Sequence, residues 1–138
     1  VIFADVVEHL VFPESVLENI INATRSECKY IISVPNIANI WIRLQLLFGR
    51  FDYKDRGILD RSHLHFYTRK SLQSLIHKLG LLPIKNCYTP IPLNILHPFF
   101  EKTKMGRLIH SFLAKITNIF PALFAYQLIV FCKKEVRS

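Results

Sequence analysis

The chain is poor in glycine: Gly49, Gly57, Gly80 and Gly106 are the only four in 138 residues, and they stand far apart. That spacing excludes a Gly-x-Gly-x-x-Gly fingerprint and a phosphate-binding loop, both of which need glycines within a single turn of chain. A Gly-x-Ser-x-Gly elbow is also missing, which excludes a hydrolase nucleophile of that kind. The three cysteines, Cys28, Cys87 and Cys132, are widely spaced and form no Cys-x-x-Cys. An odd, dispersed set does not make a disulfide scaffold and reads as reduced structural thiols in a cytoplasmic protein. Long apolar runs are lacking too. The longest, Ile119 to Cys132, covers 14 residues and contains Pro121. A membrane-spanning helix needs about 20. The sequence shows no leader-like segment, internal repeat or low-complexity tract.

What is present is a well-patterned chain, 51% hydrophobic and of ordinary single-domain size. It opens on the apolar run Val1-Ile2-Phe3-Ala4, which passes directly into Asp5, Glu8 and His9. Such a run fits a parallel strand buried on both faces. Residue 1 is therefore expected to lie inside a domain rather than at its natural start. Charge is uneven: residues 1–35 carry −3, residues 36–100 carry +6 and residues 101–138 carry +5. A basic C-terminal two-thirds suits a phosphorylated substrate, an anionic lipid or nucleic acid. Without a nucleic-acid motif, that last partner is not the expected one.

Pro13 suits a helix start, and Val16, Leu17, Ile20 and Ile21 predict a helix near 14–24. The β-rich stretch Lys29 to Val34 stops at Pro35 and reads as a second buried strand, completing a βαβ unit with a parallel pair. Ile37, Ile40, Trp41, Leu44, Leu47 and Phe48 form a helical stripe closed by Gly49. Residues 50–67 lack periodicity and predict a loop. Thr68 is a plausible N-cap for a helix bearing Leu72, Leu75, Ile76 and Leu79, with Gly80 just past its end. A strand is expected near Leu82–Tyr88, then an irregular connection through Pro90, Pro92 and Pro98. Leu108, Ile109, Phe112, Leu113 and Ile116 predict an amphipathic helix from Met105, and Ala125 to Lys133 a final strand. The order is β-α-β-α-α-β-α-β.

Asp5, Glu8 and His9 follow the first strand, and the carboxyl ends of parallel strands are where open α/β sheets place their binding crevices. Capping of the next helix is the alternative role for the two carboxylates. Asn36, at the end of the second strand, can orient a ligand or cap the following helix. The loop from Gly49 to Thr68 is dense in Asp, Arg, His and aromatic residues, a composition typical of functional loops. His63 and His65 are two apart and would point the same way in an extended segment. As a pair they lack a carboxylate or cysteine at known ligand spacing, so no metal site is expected. One imidazole acting as general base fits better.

Taken in order, these motifs resemble the C-terminal half of a class I S-adenosylmethionine-dependent methyltransferase, in the branch of MetW-like and ubiquinone-type O-methyltransferases. Ala4-Asp5-Val6-Val7-Glu8-His9-Leu10 with Pro13 is similar to the end of that family's fourth strand, and Ser33-Val34-Pro35-Asn36 to the end of its fifth. Gly49 to Tyr53, Gly57 to Arg61 and His63 to Thr68 resemble the signature that follows, and Phe124-Ala125-Tyr126-Gln127 is the familiar approach to the last strand. The resemblance runs from residue 1 to about 133. It implies an α/β fold: a partial Rossmann-like sheet of the family's strands four to seven, with flanking helices. The last strand would be antiparallel and inserted between its two predecessors. Residues 1–138 would be the C-terminal part of one methyltransferase domain, with about 91–125 a helical insertion or lid. The half that carries the glycine-rich cofactor loop would be absent.

The resemblance further implies S-adenosyl-L-methionine as cofactor, with Ala4, Asp5 and Val6 lining its methionine and sulfonium side. It places Glu8 and His9 at the mouth where cofactor and acceptor meet, and His63 over the acceptor. Ser62 and His65 stand where Thr and Arg are common in the family, so substrate choice is open. Methyl transfer from a sulfonium is an in-line displacement that depends on alignment, and a hydroxyl acceptor must also lose its proton. His63 or His9 is the expected base, with Asp5 as a positioning group; Glu8, Asn36, His65 and Phe66 are the expected acceptor-side residues. The acceptor would be a small molecule or a lipid-linked or glycan hydroxyl. The basic amphipathic helix within 91–125 suits a lid over such an acceptor, or peripheral contact with an anionic membrane. Residues 1–138 alone would be inactive and prone to self-association through an unpaired strand edge. Two other classes fit the residues: a non-catalytic domain pairing through that edge, and a basic nucleic-acid-binding surface.

Overall fold

The computed structural model describes residues 1–93 and 97–135. Four strands, β1 (Ile2–Ala4), β2 (Lys29–Pro35), β3 (Leu81–Thr89) and β4 (Gln127–Lys134), form one sheet in the order β1-β2-β4-β3. β1 and β2 are parallel, with Phe3 opposite Ile32 and Ala4 opposite Ser33. β4 runs antiparallel to both neighbours, from Pro35↔Gln127 to Lys29↔Lys133 on one side and from Thr89↔Gln127 to Leu81↔Lys134 on the other. This is the partial Rossmann-like methyltransferase sheet that the sequence motifs imply, with the last strand inserted between its predecessors. Pro83, which has no N–H to give the ladder, coincides with a register shift in β3 before Lys85.

One face of the sheet carries the core. Phe3, Tyr30, Ile32, Val34, Leu128, Val130 and Cys132 alternate inward and pack against Leu17 and Ile21 of α1 (Pro13–Ala23). Leu72, Leu75 and Ile76 of α3 (Arg69–Lys78) join them from the same side. α1 starts at Pro13, where a missing N–H costs nothing. α3 starts at a capping box, in which the Thr68 hydroxyl accepts from Ser71 N and the Ser71 hydroxyl from Thr68 N. Gly80 then ends the helix with φ +64°.

Two expectations need correction. β1 lies at the edge of the described sheet, the unpaired edge expected of residues 1–138, but it is buried on one face only: Phe3 is inside, whereas Ile2 is 68% exposed. An apolar run does not report which of its faces finds a partner. The second concerns α2, which spans Ile40–Leu47 rather than the whole stripe. Its N-cap is Asn39, whose side chain accepts from Trp41 N at 3.0 Å, and not Asn36. The buried contact is Ile42, against Ile58 and Leu59 of the following loop, while Trp41, Leu44, Leu47 and Phe48 face solvent. The loop holds itself in shape through Lys54 N donating to Leu59 O (2.8 Å) and Arg61 N to Lys54 O (2.9 Å). A small second core therefore anchors the 50–67 segment.

Beyond β3 lie α4 (Phe99–Lys102), α5 (Lys104–Ile119) and α6 (Pro121–Phe124). Of the expected 91–125 insertion, residues 94–96 fall outside the described residues. Leu17→Ala should destabilise the protein by about 2–5 kcal/mol, because it opens a cavity at full burial. Leu47→Ala, at 76% exposure, should change stability by less than about 0.5 kcal/mol. Urea unfolding of the two variants checks this, and comparable losses in both would show that α2 packs by its stripe after all.

Candidate functional site

The site is built at the carboxyl end of β1. Asp5 leaves the strand with φ +52°, a left-handed conformation that Asp tolerates better than most residues. Its carboxylate accepts from the Ser33 hydroxyl at 3.1 Å and from Gln127 Nε2 at 2.9 and 3.0 Å. The bend thus ties β1 to the end of β2 and the start of β4. A 3-10 turn (Val7–His9) follows and buries Val7 and Glu8 while leaving His9 outside.

The Glu8 carbonyl accepts from Leu64 N (2.8 Å) and His65 N (3.1 Å), drawing the long loop onto the strand end. Its side chain is only 1% exposed, and neither carboxylate oxygen has a hydrogen-bond partner among the described residues. Loss of water pushes the Glu8 carboxyl above its ordinary value, and the neighbouring Asp5 charge adds to this; its own backbone N–H, which the carboxylate approaches without a well-formed hydrogen bond, pulls it back, as do His63 and His9.

His9 and His63 meet edge to face, with ring centroids 4.9 Å apart. His9 Nδ1 lies 3.1 Å from Ser62 O and His63 Nδ1 lies 3.1 Å from Ile58 O. A carbonyl oxygen can only accept, so each Nδ1 carries a proton and each Nε2 keeps its lone pair in the neutral ring. A ring nitrogen of each histidine and a Glu8 carboxylate oxygen lie within 4.8 Å of one another. Two imidazoles oriented by backbone carbonyls, beside an unpartnered carboxylate, can take up a proton or hold a divalent cation. The histidine that His63 meets here is His9, not His65.

His65 parts from His63. The Asp60 carboxylate accepts from Ser62 N (2.8 Å) and the Ser62 hydroxyl (2.6 Å), which holds its own carboxyl below the ordinary range. The chain then bends at Leu64 to reach the Glu8 carbonyl, so alternation is broken. His65 Nε2 sits 3.4 Å from Val11 O, beside Tyr67, in a separate groove with Phe12 and Glu14. Phe66 packs near His63 (6.3 Å between centroids) within a cluster that includes Phe51 and Tyr53. Asn36 is fully buried, and its side chain is occupied within the protein: Nδ2 donates to Ala125 O (3.0 Å) and Oδ1 accepts from Ala38 N (3.1 Å).

The sequence marks Ser62 only as a departure from the family pattern and gives no separate role to Asp60 or Gln127. The Asp-x-Ser spacing is a turn signal that could have flagged the first two. Gln127 meets Asp5 only through β4's insertion. Burial pushes the Tyr67 hydroxyl up to about 12 and the Cys132 thiol to about 11, so neither ionises readily near neutral pH. Beside the cluster, a cavity of about 550 Å³ opens between α2 and the loop. It is lined by Trp41, Ile42, Ile58, Leu59 and Leu93, with Lys54 and Arg56 also contributing. Ile58 joins the two, its carbonyl facing His63.

No family model and no curated protein matches this chain. Solved structures do. A SAM-dependent methyltransferase from Archaeoglobus fulgidus superposes with a TM-score of 0.55 at 16% identity, over 96% of this chain and 57% of that one. The small RNA methyltransferase HEN1 superposes with a TM-score of 0.56 at 15% identity, over 99% of this chain and 14% of that one. The chain therefore spans only part of the length of either protein.

The unpaired Glu8 carboxylate makes a pH prediction. Its native pKa is raised, so its protonated form adds stability below the ordinary carboxylate range, and that stability is lost as pH rises through the native value. Glu8→Gln should melt higher than the natural protein at pH 7, with the difference vanishing near pH 4. A variant less stable at every pH would contradict this. At identities this low the superpositions establish the fold: the chain carries part of the class I methyltransferase fold.

Proposed function

We propose that this chain carries the acceptor side of an S-adenosylmethionine-dependent methyltransferase acting on a hydroxyl, with His9 and His63 as the proton-accepting pair. The observation that carries the reading is the convergence of Glu8, His9 and His63 at the end of β1, in a sheet of methyltransferase topology. Ala4, Asp5 and Val6, which the motifs associate with the cofactor, are all exposed at that strand end, as residues lining a cleft must be. They fit the cofactor's methionine side. When bound, the cofactor supplies an electrophilic methyl group.

This chain's residues have three tasks. Asp5, fixed by Ser33 and Gln127, shapes the cleft wall. His9 or His63 takes the acceptor's proton on Nε2, while Ser62 O and Ile58 O hold the protonated Nδ1 and so the ring orientation. Glu8, buried behind them, favours a positive charge on the imidazole pair. The adjoining cavity, about 550 Å³ and mostly apolar, falls in the range that holds a small ligand or the end of a lipid-linked one.

A second reading rests on the same atoms. A divalent cation held by Glu8, His9 and His63 would lower the acceptor hydroxyl's pKa and relieve the lone carboxylate. Calorimetric titration with Mn²⁺ separates the two: binding that His9→Ala abolishes favours the cation, and no binding favours the imidazole base.

Turnover in the natural protein, followed as methyl transfer to catechol-type and other hydroxyl acceptors, tests the function itself. His63→Ala and His9→Ala should each lower kcat by roughly 10²–10⁴-fold. A double variant that keeps full turnover would end the proposal.

A further inference from the structure

α5 is an amphipathic helix docked the wrong way round for a core helix. Its two fully buried residues, Gly106 and Thr117, are small or polar, and Leu113 between them is half-buried. Gly106 is needed there, because a Cβ would come within 2.3 Å of Phe99 O and 2.5 Å of Phe100 Cα. The Thr117 hydroxyl turns back to Leu113 O at 2.8 Å and so needs no outside partner. The apolar stripe Met105, Leu108, Ile109 and Phe112, continued by Ile119, is spaced for one helix face and points into solvent. Met105, Leu108, Phe112 and Ile119 are each at least 60% exposed, as is the following Phe120. A helix that packed only to complete the core would have buried this stripe and shown water Gly106 and Thr117.

The charge around the stripe says what covers it. From Lys102 to Lys134 the sequence holds no Asp or Glu, while Lys102, Lys104, Arg107 and Lys115, on or beside the helix, are all basic. On the helix, Lys104, Leu108, Ser111 and Lys115 follow one another at i, i+4, i+7 and i+11, so the lysines border the apolar stripe along one side. An apolar face edged with lysine is the pattern of a helix lying in a membrane interface, apolar residues among the acyl chains and ammonium groups at the headgroups. A second copy of this surface would bring like charges together. Nor does the helix cross the bilayer: its 16 residues give a length of about 24 Å. No helix among the described residues is long and apolar enough to span a membrane.

We infer that the outward face of α5 rests on an anionic lipid surface. The interaction is independent of the catalytic reading, since none of these side chains belongs to the Glu8–His9–His63 cluster. It combines apolar insertion of Leu108 and Phe112 with electrostatic attraction through Lys104 and Lys115, and each lysine should contribute about fivefold to partitioning.

Co-sedimentation of the natural protein with vesicles of phosphatidylcholine, with and without phosphatidylglycerol, tests it. The protein should pellet with the anionic vesicles, weakly with the neutral ones, and less as salt is raised. L108S/F112S and K104Q/K115Q should both stay in the supernatant with unchanged melting curves, because the substituted side chains are exposed. Three results would overturn the proposal: no pelleting with anionic vesicles, pelleting unaffected by L108S/F112S, or a concentration-dependent dimer that L108S/F112S dissolves without any vesicle binding.

Discussion

The Glu8 backbone carbonyl accepts two amides, Leu64 N and His65 N, and the site depends on that one junction. Elsewhere the 50–67 loop is held by its own turns, by the small core of Ile42, Ile58 and Leu59, and by Ile37 N donating to Tyr67 O at 3.0 Å. At the junction the loop is clamped to the end of β1, and His63 arrives beside His9. The same 3-10 turn that aims the carbonyl outward drives the Glu8 side chain inward, where it meets no donor. Clamp and buried carboxylate are two consequences of one backbone geometry. An unpartnered buried acceptor costs about 1–3 kcal/mol, and such a cost persists where the group has work to do.

The clamp works because the sheet end beneath it is rigid. Ala125 O accepts from both Asn36 Nδ2 (3.0 Å) and Asn39 Nδ2 (2.9 Å), and Asn36 N donates to Tyr126 O at 2.9 Å. Two buried asparagines thereby join the exit of β2 to the entry of β4. Gln127, the first residue of β4, is then in reach of Asp5. The antiparallel strand placed last in the sequence thus fixes the carboxylate that follows the first strand. Inserting β4 between β2 and β3 is what makes the Asp5–Gln127 contact possible.

Local signals were legible wherever the chemistry was local. Pro13, Thr68 and Gly80 mark helix ends by their own backbone preferences, and the β-rich apolar runs of β2 and β4 mark the strands. The cluster Asp5, Glu8, His9 stood out because three ionisable side chains follow an apolar run. What the sequence did not show was decided by contacts across long separations. The α2 stripe reads as a core face, yet Ile42 docks on the loop because Ile58 and Leu59 are there to receive it. Asn36 looks like the helix cap, yet Asn39 caps α2, and both asparagines brace Ala125, 86 residues beyond Asn39. His63 and His65 appear equivalent by alternation, and the Asp60–Ser62 turn separates them.

The two faces of the sheet finish in different ways, and this accounts for the surface. One face is closed by α1 and α3 with fully buried Leu17, Leu72 and Ile76. On the other, Ile31, Ile129 and Phe131 are only half-buried, and Ile2 is open. α5 touches β3 and is fully buried only at Gly106 and Thr117, with Leu113 half-buried beside them, so most of its apolar surface stays exposed. Apolar area left in water on this scale is unusual for a chain whose core is otherwise well filled. At Gly106 the helix lies directly on the Phe99–Phe100 backbone, where a Cβ would come within 2.3 Å of Phe99 O, so a larger side chain cannot be turned into that contact. The outward orientation of α5 is therefore fixed by close packing at its inner face rather than left to chance.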